Sequence, residues 1–174
     1  TLTNTITLTD TQTITATPTV TITNTPETGE GSATISPESV MAGGAGNTIV
    51  IEYTAGPSAW AASPGYGTLR ITVPAGWSQP GTSGTSPGYF TVDSIGGTVN
   101  GLLTSSYDII VYVSGLPANT GKIIVNYGDR SGGGSGATAQ SNTGTAYFIV
   151  KSAISGTSVN EIKNPPCIMV GFAT

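Results

Sequence analysis

Residues 47–55 read NTIVIEYTA. In an extended chain successive side chains point to opposite sides. Ile49, Ile51 and Tyr53 therefore share one face, and Val50 and Glu52 share the other. Large apolar side chains at every second position, opposite a carboxylate, are the pattern of a half-buried strand. TLRITV at 68–73 repeats it, with Leu69, Ile71 and Val73 expected inward and Arg70 and Thr72 toward water. Outward from these two runs, the same reading gives strands at SATIS (32–36), YFTVD (89–93), a short GTVNG (97–101), YDIIVYVS (107–114), KIIVNYG (122–128), TAYFIVKS (145–152) and CIMVGF (167–172). Each is rich in β-branched or aromatic residues and bounded by Gly, Pro, Ser or Asn. The 25 glycines and 11 prolines interrupt the chain too often for helices, and no window sustains a 3.6-residue apolar period. Parallel pairing needs crossover helices, so the expectation is an all-β antiparallel sandwich.

Composition narrows the function. Only 8% of residues are charged, so Thr, Ser, Asn and Gly must keep the surface polar. The net charge of −4 argues against nucleic acid or an anionic membrane surface, both of which select basic proteins. There is no histidine, which removes the commonest general base, metal ligand and pH switch. The nine acidic residues are scattered, with no Asp-x-Asp-x-Asp calcium loop. Asp129, in NYGDRSGGG, has a carboxylate to offer a cation, but an Asp at a turn more often caps its own backbone. SGGGSG (131–136) lacks the Gly-Lys-Ser/Thr ending of a phosphate loop. No nucleophile sits beside a base, so no catalytic residues, metal or cofactor are expected and the chain reads as a non-enzyme.

Smaller features are treated the same way. Cys167 is the only cysteine, so no intrachain disulfide forms; in the apolar run CIMV it is expected to be a small core residue, with an intermolecular disulfide as the alternative. LPANTG (116–121) is one residue longer than a sortase signal and precedes a strand, so it reads as a turn. Lys122 or Lys151 with Asn126 or Asn160 are candidate partners for an isopeptide cross-link. None of the asparagines lies in an N-x-Ser/Thr sequon, whereas Thr-rich stretches are able to carry O-linked sugars. No apolar run approaches the ~18 residues of a membrane span. The first residue is Thr, consistent with a mature form from which a leader has been removed. In GPSAWAASPGYG (56–67), Trp60 and Tyr66 are expected either to fold back on the sandwich rim or to serve as loop contacts for a neighbouring subunit or glycan.

From Gly29 onward the chain resembles the immunoglobulin-like modules of bacterial and archaeal extracellular surface proteins. The resemblance is carried by SATISPESVMAGGAGNTIVIEYTA (32–55), with its Ser-Pro turn after the first strand, and by LRITVPAGW (69–77), with a Val-Pro-x-Gly-Trp corner. IIVNYGD (123–129), leading to AYFIVKS (146–152), completes it. It implies an extracellular scaffold in a surface polymer or adhesin, and no catalytic residues.

The first 28 residues do not belong to that pattern. Every odd position from Thr1 to Thr25 is threonine. The even positions include Leu2, Ile6, Leu8 and Ile14, then Val20 and Ile22, so one face is apolar and the other hydroxylated. Fifteen residues at ~3.3 Å span about 50 Å, longer than a usual strand. Pro18 cannot donate a ladder hydrogen bond, so Ala16, Thr17 and Pro18 are expected to form a hinge. Four readings fit: an arm completing a neighbour's sheet, a first strand of its own sandwich, an O-glycosylated stalk, or an ice-binding row. A single row is not the flat array that ice requires. Burying four aliphatic side chains does not by itself offset the ordering of fifteen residues, so the arm needs hydrogen-bonded ladders as well. Asn4, Asp10 and Gln12 on the apolar face have no evident role at this level.

The expected organisation is thus a donor arm (1–28) followed by an immunoglobulin-like β-sandwich (29–174). A single domain with an extended alternating arm resembles the subunits of strand-donor filaments such as pilins and archaeal threads. That resemblance implies an extracellular cell-surface appendage built from copies of this chain, with roles in adhesion or biofilm, and with Leu2, Ile6, Leu8 and Ile14 at the subunit interface. The alternative is a non-polymerising surface, adhesin or S-layer-type module that binds glycan or protein through its loops.

Overall fold

The computed structural model describes residues 29–172, all of them in strands, turns and loops with no helix. The chain is all-β. The first layer holds β1 (Ser32–Ser36), β3 (Ile49–Thr54), β8 (Lys122–Tyr127) and β5 (Phe90–Ile95), in that order and antiparallel throughout. A second sheet runs β11 (Asn160–Glu161), β10 (Ile149–Ala153), β4 (Gly67–Thr72), β7 (Asp108–Ser114) and β6 (Thr98–Ser105). A third contains β2 (Ser39–Met41), β12 (Cys167–Gly171) and β9 (Gly144–Tyr147).

The second and third sheets form one layer. The Ile162 N–H donates to the Val150 carbonyl at 3.0 Å and the Phe148 N–H to the Pro166 carbonyl at 2.9 Å. These bonds carry the β10–β11 ladder past the KNPP bulge (163–166) into the β9–β12 ladder. The second layer is therefore β2, then β12 with β11, then β9 with β10, then β4, β7 and β6.

The two alternating runs that set the fold face as expected. Ile49, Ile51, Tyr53, Leu69 and Ile71 have no exposed surface, and Val73 is buried beside them. Trp77, which ends the Val-Pro-Ala-Gly-Trp corner, packs edge-on against Phe148 with centroids 5.3 Å apart. Phe148 also meets Tyr127, whose hydroxyl donates to the Ser78 carbonyl. Among the described residues, the core cluster and the side chains packed against it run from Ala33 to Val170.

The structure departs from the sequence reading at several points. The run 145–152 is two strands broken at Phe148, because the residue that turns its ring into the core also marks where the strand changes partner. GTVNG is only the start of an eight-residue strand, β6. Two short strands, β2 and β11, lie in stretches whose composition signals loops. One pair is parallel, β2 with β12, and needs no crossover helix because nearly the whole chain lies between them. The segments 56–66 and 115–121 carry the chain from one layer to the other, and Leu116 of the LPANTG turn is fully buried. Cys167 is exposed rather than core, since the β12 register turns Ile168 and Val170 inward and leaves Cys167 and Met169 outside.

Candidate functional site

The arm residues Leu2, Ile6, Leu8 and Ile14 and the hinge Ala16, Thr17 and Pro18 lie outside the described residues. Their root does not. The Gly29 N–H donates to the Glu161 carbonyl at 2.8 Å, and Gly29 bridges Ile162 in parallel. A Cβ at position 29 would stand 2.1 Å from the Asn160 carbonyl oxygen, so only glycine passes this close. Glu30 is held at both ends. Its carboxylate accepts from the Ser58 N–H at 2.9 Å and the Ser58 hydroxyl at 2.8 Å. Its backbone carbonyl accepts from Tyr53 and from Ser152, each at 2.7 Å. Burial pushes the Tyr53 hydroxyl above its ordinary pKa, so it stays a proton donor to this carbonyl. An open cavity of about 420 Å³ beside the root is lined by Gly29, Glu30, Ser152, Ile154, Ser158 and Asn160. These contacts fasten residues 29 and 30 to the domain, and the sequence did not announce them: Glu30, Ser58 and Ser152 are brought together only by the fold.

The loop aromatics separate. Trp60 is 3% exposed and packs on Tyr53 with centroids 5.7 Å apart, so its ring belongs to the core. Tyr66 is 37% exposed and leans on Tyr112 of β7 at 5.0 Å, which leaves it at the surface.

The remaining candidates resolve into structural roles. The Asp129 carboxylate accepts from the Thr91 hydroxyl at 2.5 Å and from the Ser131 N–H at 2.8 Å, which together hold its pKa below the usual carboxylate range. It caps the turn after β8. Lys122 pairs with Glu52 across the β3–β8 ladder at 2.6 Å. Asn126 lies four residues along the same strand, about 13 Å away, so these two cannot join within one chain. Lys151 stands opposite Glu161, and Asn160 stands opposite Ser152, so Lys151 and Asn160 point to opposite faces of their sheet. Among the described residues no three His, Cys, Asp or Glu side chains gather to hold a metal ion. The outer face at β2 and β12 exposes Met41 and Met169, each more than half accessible, beside Cys167.

No protein-family model matches the chain, and no curated protein matches it.

Proposed function

We propose that this protein is a structural subunit of an extracellular filament, polymerised by insertion of its N-terminal arm into a neighbouring copy. One observation carries the reading. It is the unbroken alternation of 1–17, with Leu2, Ile6, Leu8 and Ile14 on one face and threonine on the other, ahead of a domain whose described residues form a core cluster. An amphipathic strand of this length, joined to a sandwich at its root, suits β-augmentation of another sheet. The anchored root at Gly29 and Glu30 supports the same role, since a linkage between subunits must hold where the arm leaves the domain. A non-polymerising surface module is the second reading, and the partly exposed Tyr66–Tyr112 pair is what favours it, as an aromatic platform for a glycan.

Deleting residues 1–17 tests the choice. The shortened chain should keep its thermal transition and lose fibres under negative-stain microscopy. Fibres of native width from the shortened chain would exclude the donor role.

A further inference from the structure

Counting strands across the two layers exposes a vacancy. The margin at β1 and β2 is closed, because the chain passes through Pro37 directly from one layer to the other and β1 lies against β12. Counting inward from there, β3 comes opposite β10, β8 opposite β4 and β5 opposite β7. Nothing in the first layer comes opposite β6. Burial follows the count. The inward residues of β7, Ile109, Val111 and Val113, have no exposed surface. One strand further out their cross-strand partners are Thr104, Leu102 and Val99. Thr104 is exposed, Leu102 is 36% exposed, and Val99 is only partly buried. The two marginal strands meet at the Gly96–Gly97 corner and diverge from it, so the opening is a wedge, narrow at Val99 and wide at Thr104. Among the described residues, no further strand pairs with the free edge of β5 or of β6; an isolated bridge from Gly81 to Tyr89 touches the chain just before β5 and leaves the rest of that edge open.

We infer that this wedge is the acceptor, and that residues 1–17 of a second copy fill it as a fifth strand of the first layer, hydrogen-bonded to β5 and packed on Leu102, Val99 and Val92. This rests on the filament reading. The arm's chemistry fits a short apolar slot. Ile6 and Leu8 are consecutive positions on one face, bounded by Asn4 and Asp10. β5 offers six residues, so an arm strand centred on Ile6 and Leu8 would cover it and set Asn4 and Asp10 at the two ends of the slot, toward water. Two of the three polar residues on the apolar face thereby acquire a place. The location of the root sets the symmetry. Gly29 is bonded to β11, and the wedge lies beside β6, four strand spacings away across the layer, roughly 19 Å at ~4.8 Å each. A donor leaving one margin and an acceptor on the opposite margin make a heterologous contact, which repeats without closing and yields a fibre.

Leu102 and Leu103 are neighbours on β6 that face opposite ways: Leu102 into the wedge, Leu103 outward beside Ile110. Both are already exposed, so neither substitution to lysine should disturb the fold. In the full-length chain, Leu102→Lys should reduce the sedimenting fibre fraction at least tenfold, and Leu103→Lys should leave it within about twofold, with thermal midpoints unchanged in both. In a Cys167→Ser background, mixing an Ile6→Cys chain with a Leu102→Cys chain should give disulfide-linked dimers of one of each. Wild-type fibres together with an indifferent Leu102→Lys would overturn the acceptor assignment and spare the filament. Equal damage from the two lysines would also overturn it. A disulfide that forms only within the doubly substituted chain would show that each arm fills its own wedge. A wild type that never forms fibres would overturn both the filament reading and this one.

Discussion

Two glycines show how a single residue constrains this sandwich. Gly128 and Gly133 both sit in the left-handed region, at φ 75° and φ 89°. A side chain there costs about 1–2 kcal/mol whatever surrounds it. The surroundings differ. A Cβ at position 128 would stand 2.2 Å from the Asn47 carbonyl oxygen and 2.6 Å from the Ala137 nitrogen, whereas at position 133 it would meet nothing within 4 Å. The backbone of Asn47 cannot yield, because Asn47 and Ala137 exchange hydrogen bonds at 3.0 and 2.8 Å. Gly128→Ala is therefore expected to cost at least ~3 kcal/mol, backbone strain plus overpacking. Gly133→Ala should cost only ~1–2 kcal/mol. Urea titrations of the two variants decide the matter, and equal losses would mean that the contact at Asn47 relaxes freely.

At the scale of elements, register is the property that the arm needs most. A strand slipped by one residue turns its whole apolar face outward. Inserting one residue between Leu8 and Thr9 leaves Leu2, Ile6 and Leu8 on one face and sends Ile14 to the other. Inserting Thr-Ile at the same point restores the alternation. If the docked strand extends beyond Asp10 to bury Ile14, the single insertion should cost about 2–5 kcal/mol at every interface. Its fibres should then be shorter than those of the double insertion; fibres of equal length in the two would show that no register is held beyond Leu8. The same logic explains what the sequence made legible. Alternation placed β3 and β4 and their inward faces, because Ile49, Ile51, Tyr53, Leu69 and Ile71 each have a polar or smaller neighbour to contrast with. It missed β2 and β11, which have three and two residues, too few to show a period. Cys167 was misplaced for another reason. Its apolar neighbours suggested a core run, yet the two strongest aliphatics, Ile168 and Val170, occupy the opposite parity and fix the inward face. The wedge beside β6 was beyond reach, since it depends on how many strands each layer holds.

The whole molecule has a pH response set by what it lacks. Without histidine there is no side chain whose ordinary pKa brings a change of charge near pH 6 or 7. Among the described residues, the groups with displaced pKa values lie at the two extremes. Asp129 is held below the ordinary carboxylate value by the Thr91 and Ser131 hydrogen bonds. Its contribution is present above about pH 4 and fades as acid protonates it in the fold. Tyr53 and Tyr127 are displaced upward by burial. A tyrosine whose folded pKa exceeds its unfolded value, near 10, stabilises fully below pH 10. Above that the unfolded chain releases protons that the fold retains, so stability falls by up to about 1.4 kcal/mol per pH unit for each tyrosine. The thermal midpoint should therefore be level from about pH 5 to 9 and decline on both sides, more steeply in alkali. Tyr127→Phe separates the two contributions of that residue. It removes the hydrogen bond to the Ser78 carbonyl, costing about 1 kcal/mol at neutral pH. It also removes one of the two alkaline titrations, so its midpoint should fall less steeply above pH 10 than that of the wild type. Calorimetry across the pH range reads both effects in one series. A midpoint that already declines between pH 6 and 8, or an alkaline slope unchanged by Tyr127→Phe, would contradict the assignment of the alkaline limit to these buried phenols.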